Sequence, residues 1–214
     1  MRKKILKINK EDLKKLYSSV IYENNDYLIL NKWKGIPTQG GDKINNSIDN
    51  MIKNVSDDMR LVHRLDKETS GTLIISKNYR ISRYFSKLFQ ERKITKLYLA
   101  ICKGIPKKKK GKVDLIIKKN KNDFRMITSK SGQKSSTEFQ LIQNKNGYSI
   151  MYFKPITGKI HQIRIVAKFL NCPILGDERY NKLNFTNKKE KFLKTLCYIH
   201  LELVFFMKIK KNNT

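Results

Sequence analysis

The stretch Leu61-Val62-His63-Arg64-Leu65-Asp66-Lys67-Glu68-Thr69-Ser70-Gly71 constrains this chain more than any other segment. An apolar pair leads into it, and the β-type run Thr72–Ile75 follows it. The polar residues between these hydrophobic segments are typical of a tight turn. Asp66 is therefore expected at the rim of a sheet, where catalytic groups tend to collect. The simpler alternative is that Asp66 only binds backbone N–H groups of its own turn, as Asp residues in turns commonly do.

The chain carries a large excess of positive charge. Its 214 residues include 47 Lys and Arg against 18 Asp and Glu, which gives a formal net charge of +29 at pH 7. The abundance of Lys, Asn and Ile indicates a genome-wide bias in composition, so the sign of this charge is more informative than its size. Such an excess predicts a polyanionic partner, with nucleic acid as the first candidate. With 39% hydrophobic residues, the chain can also form a sizeable core.

The cysteines and the N-terminal residues predict no disulfide, no metal site and no membrane segment. Cys102, Cys172 and Cys197 stand alone, without the paired spacing of a disulfide framework or a zinc site. Residues 1–9 are basic but lack the apolar core of a signal peptide, and no run approaches membrane-spanning length. We therefore expect a cytoplasmic protein with free thiols that needs neither a metal nor an organic cofactor.

Local patterns predict a series of short elements in the first half of the chain. They are a helix over Glu11–Tyr17, a hairpin over 20–32, a helix capped by Ser47 that ends at Val55, a helix over 79–91 and a strand over 94–102. The aromatic residues of the fourth of these elements, among them Tyr84, are expected in the core because they recur at helical spacing.

The second part of the chain is predicted to be rich in strands. Residues 112–154 alternate between apolar and polar side chains, which predicts several short strands, and the Asn146-Gly147 pair is a strong hairpin signal. Thr157 is expected to cap a helix that buries Ile160, and a last strand is expected over 197–207. Many hairpins with few helices predict an α+β fold with a largely antiparallel sheet.

Two further motifs accompany the segment around Asp66. They are Lys96-Leu97-Tyr98-Leu99-Ala100 and Thr157-Gly158-Lys159-Ile160-His161-Gln162-Ile163-Arg164, the latter followed by Pro173-Ile174-Leu175-Gly176-Asp177 and Tyr180. In this order and spacing the three motifs closely resemble the RluA-type family of RNA pseudouridine synthases, over about residues 20–207. The Thr38-Gln39-Gly40-Gly41 stretch is most similar to the RluC branch of that family, which modifies several uridines of large-subunit ribosomal RNA.

The resemblance implies a fold and a reaction. The fold is the α+β pseudouridine synthase fold, with a mixed, largely antiparallel central sheet, flanking helices and a catalytic cleft between two halves. The reaction breaks the bond between ribose and the uracil nitrogen, turns the base and rejoins ribose to a ring carbon. It requires no metal, cofactor or redox change, and covalent or ion-pair assistance by one carboxylate is sufficient for it.

The resemblance also implies roles for particular residues. Asp66 aligns with the catalytic Asp, Arg164 with the Arg that pairs with it, and Tyr98 with the residue that stacks on the target base and assists removal of a ring proton. Without the family, Arg164 would be read as a surface Arg on an amphipathic helix and Tyr98 as a half-buried strand residue. RNA binding is expected of a further set of residues. They are Arg64, Lys159, His161 and Gln162.

The chain also departs from the family pattern. Lys159 and Ile160 replace the usual Arg-Thr, and Val166 stands where a His is common. Only a basic arm at 1–19 precedes the expected catalytic domain at 20–207, so the N-terminal RNA-binding module of many relatives is expected to be absent or reduced. A basic tail at 208–214 follows. The basic run Lys107–Lys110 is expected in a loop, either solvated or in contact with RNA phosphates.

The expected partner is RNA, most of all 23S ribosomal RNA, and the chain is expected to act as a monomer away from membranes. A synthase acting on transfer RNA is one alternative. A non-catalytic RNA-binding or ribosome-assembly factor that keeps the fold is a second. A nucleoside or glycoside hydrolase is a third, but such enzymes use two cooperating carboxylates, and only Asp66 is a clear candidate.

Overall fold

A computed structural model describes residues 9–40, 46–123, 125–181 and 200–204 of the chain. The helices are α1 (Lys10–Ser18), α2 (Ile48–Val55), α3 (Tyr79–Gln90) and α4 (Gln162–Phe169). The strands are β1 (Val20–Glu23), β2 (Tyr27–Lys32), β3 (Arg60–Leu61), β4 (Ser70–Ser76), β5 (Thr95–Lys103), β6 (Lys110–Lys119), β7 (Met126–Thr128), β8 (Gln133–Lys145), β9 (Tyr148–Pro155) and β10 (His200–Val204).

The strands form one sheet in the order β1-β2-β4-β10-β5-β9-β8-β6-β7, with β3 paired to β4. Every pairing among the described strands is antiparallel except that of β10 with β4. The predicted α+β class with a mixed, largely antiparallel sheet is therefore confirmed. In the part of the chain that is described, no helix is long and apolar enough to cross a membrane.

The sheet carries two hydrophobic cores. The first, under β2, β4 and helices α1 to α3, includes the fully buried Leu30 and Leu73. The second, between α4 and strands β5, β8 and β9, includes the fully buried Phe153 and Val166. Tyr98 packs against both. Residues of both halves line the space next to Tyr98, so the predicted cleft between two halves is present.

Helices α1, α2 and α3 each follow a residue whose side chain caps them, and Ser47 of α2 is the predicted one. Asn9, Ser47 and Asn78 are extended, and each side-chain oxygen accepts a hydrogen bond from the backbone N–H three residues on, at 2.6, 3.2 and 2.9 Å. These bonds satisfy backbone donors that have no partner within a helix. The predicted helices over Glu11–Tyr17, from Ser47 to Val55 and over 79–91 are confirmed, as is the hairpin over 20–32.

The predicted start of the last helix is wrong. Helix α4 begins at Gln162, and His161 precedes it in the left-handed region, with φ of 54°, without a side-chain capping bond. The Thr157 hydroxyl instead accepts from the N–H of Ser136 at 3.0 Å and donates to Gln162 Oε1 at 2.7 Å. The prediction failed because this bond to strand β8 outweighs a local cap. Ile160 lies outside the helix, and 64% of its surface is exposed.

Other differences are smaller. Strands β6 and β8 span ten and thirteen residues, longer than the alternating pattern predicted. Tyr84 is exposed, because it lies on the outer face of α3, and is not a core residue. Cys102 and Cys172 are buried and form no disulfide bond among the described residues, whereas Cys197 lies outside those residues. So do Gly41, residues 1–8 of the basic arm, much of the last predicted strand and the basic tail.

Candidate active site

Asp66 lies on a turn between β3 and β4 that is held from two sides. Its backbone carbonyl, not its carboxylate, closes the turn by accepting from the N–H of Thr69 at 3.0 Å. Thr38 fixes the preceding residue, because its hydroxyl donates to the carbonyl of Leu65 at 2.7 Å and accepts from the Leu65 N–H at 3.1 Å. No described residue donates a hydrogen bond to the Asp66 carboxylate, which is 32% exposed. The alternative that Asp66 only stabilises its own turn is therefore wrong.

Two side chains from around the start of α4 face this carboxylate. The Arg164 Nη1 and the His161 Nε2 each lie 3.9 Å from Asp66 Oδ2. These distances are too long for direct hydrogen bonds but short enough for electrostatic attraction, and contacts of this kind commonly tighten when a substrate binds. The structure thus brings Asp66 and Arg164 together, as the family resemblance implies.

The main partner of Arg164 is a second acid, Asp177. Arg164 Nε donates to Asp177 Oδ2 at 2.7 Å, and its Nη2 donates to Oδ1 at 2.5 Å. This two-bond arrangement fixes the plane of the guanidinium and leaves Nη1 directed at Asp66. Backbone N–H groups of Arg179 and Tyr180 in turn donate to Asp177 Oδ1, at 3.1 and 3.3 Å.

Tyr180 links this group to His161. Its hydroxyl oxygen accepts from the N–H of Met126 at 2.6 Å and lies 3.0 Å from His161 Nδ1. The Arg164 guanidinium stacks over its ring, with Cζ 5.0 Å from the ring centre. Burial lowers the pKa of His161, the charge of Asp66 opposes this, and the charges of Arg164 and Arg179 lower the pKa further. His161 is therefore uncharged at neutral pH.

Tyr98 faces the same cavity from strand β5. Burial raises the pKa of its hydroxyl well above the usual value of 10, and the nearby negative charge of Asp66 raises it further. The phenol therefore stays protonated at neutral pH. This suits a ring that packs against a base better than one that removes a proton.

Two cavities meet at Asp66. The first cavity has a volume of about 810 Å³ and is lined by Tyr98 and the segment from Thr157 to Arg164. The second cavity has a volume of about 630 Å³ and is lined by the turn at 37–39 and by Asp177. Both volumes fall in the usual range for pockets that bind small molecules. The two cavities share a wall. Its residues are Arg64, Leu65, Asp66, Thr69, His161 and Arg164.

The residues predicted to bind RNA occupy different settings. Arg64 is exposed on the shared wall, where its guanidinium donates to Gln39 Oε1 at 3.2 Å, and Lys159 is half-buried in the first cavity. Gln162 is only 4% exposed, and its amide bonds to the Thr157 hydroxyl, the Lys159 N–H, the Ser136 carbonyl and the Thr137 hydroxyl. A side chain that is buried and fully bonded has no group left for RNA, so we replace the predicted role of Gln162 by support of the loop before α4.

His63 is held within the protein by contacts of its imidazole ring. Its Nε2 accepts from the N–H of Ile74 at 3.0 Å, and its ring packs on Phe89 with ring centres 4.6 Å apart. Burial and the charge of Lys96 lower the pKa of His63 to about 3. The ring is therefore neutral and carries its proton on Nδ1.

Sequence reasoning gave no role to Asp177 and Tyr180, although both stand in the motif that follows α4. The signal was an acid after Gly176 with an aromatic residue three positions later, but only the folded structure shows that both turn back toward Arg164. Within the described residues no group of His, Cys, Asp or Glu side chains could hold a metal ion.

The fold is shared with solved RNA pseudouridylate synthase domains. The human protein RNA Pseudouridylate Synthase Domain Containing 4 matches with a TM-score of 0.71 and 25% identity, over 88% of this chain and 85% of that one. The family model for RNA pseudouridylate synthase matches residues 26–168. The chain therefore belongs to the RNA pseudouridylate synthase family, and the resemblance inferred from the motifs is confirmed.

Two relatives of the chain are named as pseudouridine synthases of the ribosomal large subunit. The chain is 42% identical over 168 residues to ribosomal large subunit pseudouridine synthase C of Rickettsia bellii. The aligned region covers 75% of this chain and 56% of that protein. It is 35% identical over 185 residues to ribosomal large subunit pseudouridine synthase D of Borreliella burgdorferi, covering 80% of this chain and 57% of that protein. The chain thus spans little more than half the length of these two relatives. Its likeness to the C branch is confirmed.

Proposed function

We propose that this chain isomerises uridine to pseudouridine in RNA and that Asp66 is the catalytic carboxylate. The observation that carries the proposal is the free carboxylate of Asp66, which faces a cavity and is not used by its own turn. A turn Asp without hydrogen bonds to its turn has no structural task, and it is free to act on a substrate. Family membership supports the same assignment.

The proposed roles follow from the surroundings of Asp66. The Arg164 guanidinium, fixed by Asp177, favours the ionised carboxylate and orients it. Asp66 then assists cleavage of the bond between ribose C1′ and the uracil nitrogen. The released base turns and bonds to C1′ through a ring carbon, and that carbon loses its proton while the freed nitrogen gains one. Atoms and charge balance without an external reagent.

The base is proposed to enter the first cavity and to pack against Tyr98. A cavity of about 810 Å³ leaves room for a uracil ring to turn. A uridine inside a stem or loop must leave its stack to reach Asp66, which costs a few kcal/mol. Contacts between the basic surface and RNA phosphates offset this cost, which gives the net charge of +29 a function.

The proposed substrate is 23S ribosomal RNA, with the chain acting in the cytoplasm as a monomer. The names of the Rickettsia and Borreliella relatives, which are ribosomal large subunit synthases, support this choice. Arg64 and His161, on the wall shared by the two cavities, and Lys159 in the first cavity are the proposed RNA contacts.

The decisive experiment compares Asp66→Asn with the wild type on 23S ribosomal RNA lacking pseudouridine. Asn has the size of Asp but cannot act as a nucleophile or ionise, so pseudouridine formation should fall by more than about 10³-fold. RNA affinity should change little. Asp58→Asn, at an exposed position outside both cavities, is the matched control and should keep full activity.

Three results would contradict the proposal. Pseudouridine formation by Asp66→Asn at the wild-type rate would remove Asp66 from the chemistry. A wild type that binds the RNA but yields no pseudouridine on ribosomal or transfer RNA would indicate a non-catalytic binding protein. Release of free uracil would indicate a hydrolase.

A further inference from the structure

The first cavity contains a lysine that neither the reaction nor the fold explains. Lys96 lies on β5 two residues before Tyr98, so its side chain leaves the strand on the same face. Both residues line the cavity. Lys96 is half-buried, although long charged side chains usually reach full solvent.

Lys96 has no acidic partner in the described part of the protein, and the same holds for two other cations of this cavity, Arg92 and Lys159. A fourth cation, Lys154, differs because it forms an ion pair with Glu138 at 3.1 Å. The cavity wall therefore presents three positive charges that nothing described here neutralises. We call Arg92, Lys96 and Lys159 the cation cluster.

The position of Lys96 is unfavourable without an anion. Burial lowers the pKa of its ammonium group, and the charge of Arg92 lowers it further. A partly desolvated charge beside a like charge raises the energy of the empty cavity, and a bound anion would remove that penalty. The cluster is thus arranged for a negatively charged ligand.

Gly158 lies next to the ammonium group of Lys96. A Cβ atom at this position would lie 3.3 Å from Lys96 Nζ, closer than most real contacts of this kind. With glycine there, the ammonium group faces the cavity, and the next residue, Lys159, adds its own charge. Arg92 follows the end of α3 with φ of 55°, and this turn brings its exposed side chain to the rim of the cavity.

We propose that the cation cluster binds a phosphodiester group of the RNA next to the flipped uridine, with Lys96 as the innermost contact. Residues two apart on a strand are separated by about 6.6 Å, a distance that one nucleotide can span. A base on Tyr98 therefore brings a flanking phosphate within reach of Lys96. This inference rests on the proposed function, because it takes the base site at Tyr98 from it.

The cluster binds substrate and does not take part in bond cleavage. Its loss should therefore weaken RNA affinity while leaving the rate for fully bound RNA nearly unchanged. Each phosphate contact on single-stranded RNA contributes about 0.7 to the slope of log affinity against log salt concentration. Loss of the Lys96 contact should lower that slope by this amount, a change that a purely structural role would not produce.

The test measures equilibrium RNA binding in the Asp66→Asn background, so that it does not depend on catalysis. Lys96→Met should weaken binding about tenfold at low salt and reduce the salt slope by about 0.7. Arg92→Asn, at an exposed position where Asn tolerates the positive φ, should do the same to a smaller extent. Lys53→Met on α2 removes one charge outside both cavities and serves as the charge-matched control.

Chemical substitution of the RNA adds a second measurement. A single uncharged methylphosphonate beside the target uridine should weaken binding by the wild type more than binding by Lys96→Met, because the innermost contact is already lost in that variant. Equal weakening of both proteins would overturn the proposal, as would an unchanged salt slope in folded Lys96→Met and Arg92→Asn. If the reduced slope is found but the wild type forms no pseudouridine, the phosphate site stands and the proposed reaction fails.

Discussion

At the scale of single residues, the site depends on how one guanidinium is shared between two acids. Asp177 holds Arg164 through two short hydrogen bonds, whereas Asp66 meets it only at 3.9 Å. If Asp66 held the same two bonds, its lone pairs would be occupied and its carboxylate a poor nucleophile. The second acid therefore keeps Arg164 close to Asp66 without tying Asp66 down.

Because Asp177 fixes Arg164, we expect Asp177→Asn to slow the reaction. Asn keeps one acceptor but loses the charge and one of the two hydrogen bonds, so the guanidinium can rotate toward Asp66. The rate of pseudouridine formation under single-turnover conditions should fall about 10²-fold, as for other small displacements of catalytic groups. RNA affinity should change by less than threefold, roughly the scale of experimental scatter for a residue without phosphate contact.

Asp123→Asn is the control for that measurement. Asp123 also pairs with an arginine, Arg125, but outside both cavities, and its loss should leave the rate unchanged. A wild-type rate for Asp177→Asn would show that Arg164 needs no second acid.

At the scale of elements, the end of strand β2 supports the turn that carries Asp66. Lys32 is fully buried, and its ammonium group donates to the carbonyls of Trp33, Ile36 and Lys67 at 3.0, 2.9 and 3.3 Å. Burial lowers the pKa of Lys32 to about 8 despite the opposing charges of Glu68 and Asp66. One side chain thus joins the loop after β2 to the turn that carries Asp66.

Lys32→Met should therefore destabilise the protein. Methionine fills a similar volume, but it leaves three carbonyls without their donor. The variant no longer buries a charge, and this gain offsets only part of the loss. The free energy of unfolding, measured by urea denaturation, should fall by about 2 kcal/mol. Lys53→Met, which removes a surface ion pair on α2, should cost less than about 0.5 kcal/mol. Equal losses for the two variants would contradict the role given to Lys32.

Some of the elements could be predicted from local sequence patterns, and others could not. Helices α1 to α3 and the hairpin of β1 and β2 were predictable because their caps, turns and apolar spacing are local features. The start of α4 was not, because Thr157 bonds to a residue on β8 that is distant in sequence. For the same reason the motifs predicted Asp66, Tyr98 and Arg164, which line one cavity, but not Asp177, whose contact with Arg164 joins residues thirteen positions apart.

At the scale of the whole molecule, the excess of positive charge and the candidate site are separate features. We expect both to contribute to RNA binding. Most of the described lysines lie outside both cavities. We expect them to act through the overall field, which attracts a polyanion without selecting a sequence. The cation cluster acts at short range, inside the cavity, and fixes one phosphate relative to Tyr98. Under the proposed function, we expect the first effect to set how fast RNA is captured and the second to set which nucleotide reaches the carboxylate.

This picture predicts the salt dependence of RNA binding by the wild type. The one phosphate held by the cation cluster gives a slope of about −0.7, and each further phosphate contact of the basic surface adds about the same, so affinity should fall by more than about 2.5-fold between 50 and 200 mM salt. Fluorescence anisotropy with a labelled fragment of 23S ribosomal RNA measures it. Asp66→Asn should show the same slope, because an aspartate makes no phosphate contact. A flat response would mean that the charge of +29 does not act on RNA, and RNA would then be the wrong substrate.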